Sequence, residues 1–189
     1  DLLKELKKTG KPIGLVLMNG RPLELTWEDE NMDAILEAWY PGTMGGHTIA
    51  DVIAGDYNPA GKLTMSFPRS VGQLPLYYNH KNTGRPLPPD NPKMDYKSSY
   101  IECPNSPLYP FGYGKTYSEV RYLDMTAEIK DYTKIAVTVE VENTGKYVTD
   151  EVVQIYVTKK GSAVKRAIRE LKAFERVKEL ASGERRTVR

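Results

Sequence analysis

Apolar residues recur along this chain in three successive patterns, and the changes from one to the next divide it. Asp1 to Lys8 places Leu2, Leu3 and Leu6 on one side of an amphipathic helix, and a helix at the first residues reads as the interior of a longer fold. Thr9-Gly10-Lys11-Pro12 breaks that pattern, and Ile13 to Met18 follows as a nearly continuous apolar run bounded by Asn19-Gly20. A short unbroken run between turn signals predicts a strand buried on both faces, as in a parallel sheet. Ala34 to Tyr40 reads as a second such strand ending at Pro41-Gly42, with a helix as the competing reading, because periodicity does not decide a run of that length. Ile49, Val52 and Ile53 recur at helical spacing within His47 to Ala54, and Gly55 stands where a C-terminal cap belongs. Lys62 to Phe67 alternates enough to predict an edge strand closed by Pro68.

Periodicity then disappears. From Arg69 to Asn105 the chain carries Pro86, Pro88, Pro89 and Pro92 together with Tyr77, Tyr78, Tyr96 and Tyr100. A connection of this length is either packing along the surface or a loop that reaches a ligand or a partner subunit. Pro107 to Tyr117, reading P-L-Y-P-F-G-Y-G-K-T-Y, combines stiff prolines, permissive glycines and broad aromatic faces, and predicts a packed joint with little regular structure. Beyond it, Ile135, Val137, Val139 and Val141 alternate strictly, as do Val153, Ile155 and Val157, with Asn143-Thr144-Gly145 as a turn between. Leu171, Ala173 and Glu175 repeat the alternation more weakly, and Arg185-Arg186-Thr187-Val188 opens another strand. Half-buried strands joined by short turns predict an antiparallel β-sandwich of about five strands, short of the seven of an immunoglobulin-like domain.

Composition narrows the function classes. Of the 189 residues, 27 are basic and 25 acidic, so a net charge of +2 gives no electrostatic footprint for nucleic acid or a membrane surface. Lys159, Lys160, Lys165, Arg166 and Arg169 form the densest basic stretch, and it reads as a solvated loop. No apolar run reaches the ~20 residues that span a bilayer. A single cysteine, Cys103, excludes an internal disulfide and a cysteine-based zinc cage. The carboxylates Glu28, Asp29, Glu30, Asp33 and Glu37 are dense, but neighbours on one short segment do not flank a substrate from two sides, and Glu28 to Glu30 suit a helix start. His47 and His80 lack any nucleophile-base or metal-site motif around them, and Gly45-Gly46 lacks phosphate-loop spacing. Taken residue by residue, no set of side chains forms an active site.

The ordered motifs K-P-I-G-L-V-L-M-N-G-R-P-L (11 to 23), A-I-L-E-A-W-Y-P-G (34 to 42), G-G-H-T-I-A-D-V-I-A-G-D-Y-N-P-A-G-K-L (45 to 63), N-T-G-R-P (82 to 86) and P-L-Y-P-F-G-Y-G-K-T-Y (107 to 117) resemble the C-terminal part of family-three glycoside hydrolases of the bacterial periplasmic β-glucosidase type. The likeness continues through V-E-N-T-G (141 to 145), E-V-V-Q-I-Y-V (151 to 157) and E-L-K-A-F-E-R-V (170 to 177). It implies an α/β fold followed by an all-β fibronectin type III-like sandwich, both truncated: residues 1–68 as the C-terminal half of an α/β sandwich domain, 69–118 as the Pro/Tyr-rich connector, and 119–189 as the fibronectin type III-like domain, incomplete at its C-terminal strand. The whole enzyme is then expected to hydrolyse terminal β-linked glucose from β-glucosides or β-linked oligosaccharides with retention, in the periplasm or outside the cell. Neither a metal nor a cofactor is expected. The family pattern places the nucleophilic aspartate and the acid/base glutamate upstream of Asp1, so no catalytic residue is assigned here and the chain alone is expected to be an inactive scaffold.

Arg85, Tyr96 and Tyr100 are the candidate residues for an outer sugar subsite or for a homodimer contact of the whole enzyme. A second reading, from a different class, is a carbohydrate-binding or adhesion module whose sandwich presents Tyr122, Tyr132, Tyr147 and Tyr156 to glycan without chemistry.

Overall fold

The computed structural model describes residues 1–88 and 94–189, so Pro89 and Pro92 of the proline-rich stretch lie outside the described residues. The chain forms two compact units. The first comprises Asp1–Ala50, Thr64–Phe111 and Lys165–Ile168, and the second comprises Asp51–Leu63, Gly112–Val164 and Arg169–Arg189.

The first unit begins with helix α1 (Leu2–Lys7), strand β1 (Gly14–Leu17), helix α2 (Thr26–Asn31) and strand β2 (Ala34–Glu37), and it contains the start of helix α3 (Gly45–Ala54). β1 and β2 pair in parallel, with Gly14 opposite Ala34 and Leu17 opposite Glu37. The choice between strand and helix at Ala34 is thereby resolved as strand. Asp33 fixes the entry to the pair, its Oδ2 accepting from the Ile13 N–H at 2.8 Å, while the Ala38 N–H donates to the Leu17 carbonyl at 2.9 Å beyond the other end. Trp39 then leaves extended geometry with φ of 51°, which a non-glycine residue adopts only under constraint and which stops the strand after four residues. The acidic residues Glu28 and Asp29 occupy the first turn of α2, where the partial positive charge of the helix end favours them.

The edge strand expected at Lys62 to Phe67 does not form. Within the first unit Phe67 makes one bridge with Tyr109, its N–H donating to the Tyr109 carbonyl at 2.8 Å and its carbonyl accepting from Leu108 at 2.9 Å. Pro107 and Pro110 flank that bridge and have no N–H to extend a ladder, so the pairing stays local. The Phe67 side chain is nonetheless the best-buried aromatic of the unit at 1% exposure, with ring centroids 5.8 Å from Trp39 and 6.1 Å from Tyr109.

The second unit is an antiparallel sandwich. Strands β3 (Val120–Ile129), β4 (Ile135–Asn143) and β7 (Arg185–Val188) form one sheet in the order β3-β4-β7, and β5 (Thr149–Val157) pairs with β6 (Glu170–Leu180) in the other. The alternation read from the sequence determines which faces meet: Val139 and Val141 from β4, Val153 from β5, and Val177 and Leu180 from β6 form the buried core. β3 is the strand that the periodicity did not reveal. Its pairing with β4 shifts between Tyr122 and Asp124, and this bulge keeps Met125, Ala127 and Ile129 opposite Val139, Val137 and Ile135, on the face Tyr122 shares with Val141, although the period of two is broken in the sequence.

Candidate functional site

The long connector folds around one buried amide. Ser70 accepts the Gly72 N–H at 3.3 Å and starts a single 3₁₀ turn, Val71–Gln73, whose last residue turns inward. Gln73 is 1% exposed. Its Oε1 accepts from the Arg69 N–H at 2.7 Å, and its Nε2 donates to the carbonyls of Pro104 at 2.9 Å and Ser106 at 3.4 Å. Every polar atom of the side chain is thus used to join the two ends of the connector, which is what makes the burial of an amide tolerable.

From that anchor a second tier of bonds reaches the candidate residues. The Tyr100 hydroxyl donates to the Gln73 carbonyl at 3.3 Å, and its N–H donates to Asn105 Oδ1 at 3.0 Å. Asn105 in turn donates to the Ser98 carbonyl at 2.8 Å, and the Ser98 N–H donates to the Arg85 carbonyl at 2.8 Å. Arg85 and Tyr100 therefore belong to one hydrogen-bonded loop. Tyr96 stands on the same loop with φ of 61° and 88% exposure, its ring turned out to solvent. Tyr78 stacks on Phe111 with centroids 4.1 Å apart, which packs the connector's earlier part within the same unit. An exposed aromatic face and a guanidinium on an otherwise fastened loop suit sugar rings and protein surfaces alike.

The remaining candidates do not converge. Asp29 accepts the Tyr109 hydroxyl at 2.5 Å, Asp33 holds the start of the β1–β2 pair, and Glu37 lies at its far end, so these carboxylates have separate structural partners. His47 is exposed as the third residue of α3, and the Nδ1 of exposed His80 lies 3.0 Å from the Lys81 carbonyl. Cys103 is half-buried and unpaired by disulfide. Among the described residues no group of His, Cys, Asp and Glu is placed to hold a metal ion, and no helix is long and apolar enough to cross a membrane. The four sandwich tyrosines fall on β3, the β3–β4 turn, the β4–β5 turn and β5, and the hydroxyls of Tyr122 and Tyr156 are engaged by Glu151 and Gln154. Gln73 was invisible to sequence reasoning, since a lone glutamine in an aperiodic stretch gives no signal of burial.

Residues 1–117 match the glycosyl hydrolase family 3 C-terminal domain, and residues 151–189 match a fibronectin type III-like domain. The chain belongs to glycosyl hydrolase family 3. An α/β C-terminal domain of that family followed by a fibronectin type III-like domain is the fold class expected from the sequence. Among similar family 3 proteins, the periplasmic β-glucosidase of Salmonella typhimurium is 51% identical across 100% of this chain, which covers 25% of it. A β-xylosidase of Formosa agariphila is 45% identical, again with 100% of this chain and 25% of the relative aligned. A Listeria innocua β-glucosidase solved in complex with glucose superposes with a TM-score of 0.90 at 43% identity, over 99% of this chain and 26% of that one. The chain thus spans about a quarter of the length of the family 3 relatives it matches.

Proposed function

We propose that the chain is the accessory, non-catalytic part of a retaining family 3 β-glucosidase, a scaffold that completes an α/β domain and carries a fibronectin type III-like domain after it. The end-to-end match at 51% identity to a β-glucosidase four times as long carries this reading. Retaining hydrolysis needs two carboxyl groups about 5–5.5 Å apart across the glycosidic bond, one as nucleophile and one as acid and then base. The acidic residues described above serve strand ends, a helix start and a tyrosine hydroxyl, so the reacting pair is assigned to polypeptide upstream of Asp1. In this reading residues 1–68, 69–118 and 119–189 are the α/β part, the connector and the sandwich. The substrates are β-glucosides or β-linked oligosaccharides, and the location is the periplasm or outside the cell. The similarity to a β-xylosidase makes the choice between glucose and xylose the first specificity to measure.

Arg85, Tyr96 and Tyr100 are proposed to line an outer sugar subsite or a homodimer contact of that longer enzyme. The exposure of Tyr96 on a loop fastened through Gln73 and Tyr100 favours recognition over packing for that residue. Two measurements on the full-length enzyme test the whole reading. Product released from an aryl β-glucoside is expected as the β-anomer by NMR, and the α-anomer as first product would refute the retaining mechanism. Replacing Tyr96 by Ala is expected to change the preference between aryl glucosides and longer oligosaccharides, or the oligomeric state, at unchanged thermal stability. Lost stability with unchanged preference and assembly would reduce it to packing.

A further inference from the structure

Strand β3 is an edge of its sheet: among the described residues it pairs with β4 alone. The backbone N–H and C=O groups on its other side form a template on which another strand can pair. Its side chains decide which strand fits. By register with β4, Tyr122, Met125, Ala127 and Ile129 lie on the face of Val141, Val139, Val137 and Ile135, whereas Arg121 and Glu128 lie on the other face, opposite Glu142 and Ala136. In a regular strand Arg121 and Glu128 would point to opposite faces, because their separation in sequence is odd. Bulges commonly turn an edge away from pairing, but the one at Leu123 also brings these two charges onto one face.

With Leu123 and Asp124 counted as one position, the strand is self-complementary about Met125. An antiparallel copy with its Met125 opposite this one sets Ala127 against Tyr122 of the partner subunit, and Ile129 against Val120 of the partner subunit, on the core face. On the other face Arg121 meets Glu128 of the partner subunit, and just beyond the strand ends Glu119 meets Lys130 of the partner subunit. The two-fold axis repeats each pair, so opposite charges align at both ends of the edge. The apolar side chains such pairing would cover stand in water: Tyr122 is 50%, Met125 64% and Ile129 78% exposed. Glu142, the acid beside Arg121 on β4, is taken by Arg185 at 3.0 Å. Glu128 holds Lys130 at 2.5 Å, an exposed pair of the kind that contributes little and exchanges readily.

The geometry points to a second copy of this chain on the β3 edge, in an isologous dimer whose sheets join in the order β7-β4-β3-β3-β4-β7. This contact lies within the second unit and is separate from the one proposed at Arg85, Tyr96 and Tyr100. It does not rest on the β-glucosidase reading, which stands or falls by its own measurements.

The test is sedimentation velocity of the 189-residue chain over a wide range of protein concentration. The mass is expected to rise from that of the 21.3 kDa monomer to twice that value and to stop there. A monomer at every concentration, or growth beyond two copies, overturns the proposal. Arg121→Glu sets acid against Glu128 of the partner subunit at both symmetry-related pairs and is expected to weaken the dimer by about tenfold or more. Adding Glu128→Arg restores opposite charges across the axis and is expected to recover the dimer, and failure to recover overturns the proposed register. Met125→Lys places two ammonium groups together at the axis and is expected to abolish association at an unchanged midpoint of thermal unfolding, since the side chain is exposed in the monomer. Association indifferent to Met125→Lys would place the contact on another surface and refute the β3 edge.

Discussion

Lys62 Nζ lies 3.1 Å from Glu151 Oε1 within the second unit, with the two side chains only 14% and 9% exposed. The same ammonium donates to the Gly114 carbonyl at 3.0 Å, and the Glu151 carboxylate accepts the Tyr122 hydroxyl at 3.4 Å. Burial, reinforced by the adjacent Glu151 charge, pushes the Tyr122 hydroxyl pKa up, so it remains a donor at any physiological pH. Withdrawing one member of a buried pair leaves the other charge uncompensated, at a cost of about 3–5 kcal/mol. Lys62→Met is therefore expected to destabilise the unit by that order in urea denaturation, and Lys62→Met with Glu151→Leu to recover much of the loss. Equal losses in the single and double variants would show that the pair does not act as a unit.

Asn143 is fully buried and uses its whole side chain. Oδ1 accepts from Ser118 Oγ at 2.7 Å and from the Gly145 N–H at 3.0 Å, and Nδ2 donates to the carbonyls of Tyr147 and Leu180, both at 2.8 Å. Each buried group left without a partner costs about 1–3 kcal/mol. Asn143→Ala is expected to lower the stability of the sandwich by at least about 3 kcal/mol, with hydrogen-exchange protection lost first at the Gly145 amide.

How much of this was legible in the sequence depended on whether the cause was local. Val139, Val141 and Val153 announced their buried faces through strict alternation, and the unbroken run at Ile13 to Met18 announced a parallel strand. β3 was hidden because its bulge at Leu123 destroys the period-two signal in which it would have been read. Lys62 to Phe67 looked like a strand because its side chains alternate, but its backbone partners are the irregular segment from Leu108 to Tyr113, which cannot propagate a ladder. In the candidate site, the aromatic and basic residues of the connector were visible by type. The buried amide that fastens them was not, because burial of Gln73 follows from contacts 31 and 33 residues away.

Gln73→Ala leaves the Arg69 N–H and the Pro104 and Ser106 carbonyls without their buried partner. The connector is expected to become a preferred site of limited proteolysis between Met94 and Ser106, with about 1–3 kcal/mol lost. Gln73→Glu, which keeps the shape but replaces two donated bonds with a buried charge, is expected to be no better than Ala. A protease pattern unchanged from the parent would remove Gln73 from the account of the loop.

Gly112 has φ of +81°, and a Cβ there would lie 2.6 Å from the Tyr156 hydroxyl and also meet the Gln154 side chain. The glycine carbonyl already accepts from Gln154 Nε2 at 3.0 Å. Gly112→Ala is expected to cost about 1–3 kcal/mol, because the backbone is held at a positive φ and the Gln154 and Tyr156 side-chain ends must swing away and give up their hydrogen bonds to the Gly112 carbonyl and to each other. The midpoint of thermal unfolding checks it, and Gly161→Ala, where the added methyl meets open space, separates backbone strain from the clash.

Asp150 accepts from the Glu179 N–H and from Arg176 Nε, each at 2.8 Å. Burial opposes its charge, but these donors prevail and hold the carboxyl below the usual aspartate range. Its contribution is therefore present above the unfolded value and lost as pH falls through the folded value. Asp150→Asn is expected to flatten the acid limb of the stability profile, with about 1 kcal/mol lost at neutral pH, because Arg176 remains half in solvent.

The proposed role, support of catalysis by a longer family 3 enzyme without a reacting carboxyl pair of its own, is open to direct measurement. The direct measurement is the turnover of an aryl β-glucoside by the purified 189-residue chain, prepared in a host lacking β-glucosidase, beside the same chain joined to its upstream polypeptide. No turnover above buffer is expected for the chain alone, and full activity for the joined protein. Turnover by the chain alone would contradict it and would place a reacting carboxyl pair within these residues.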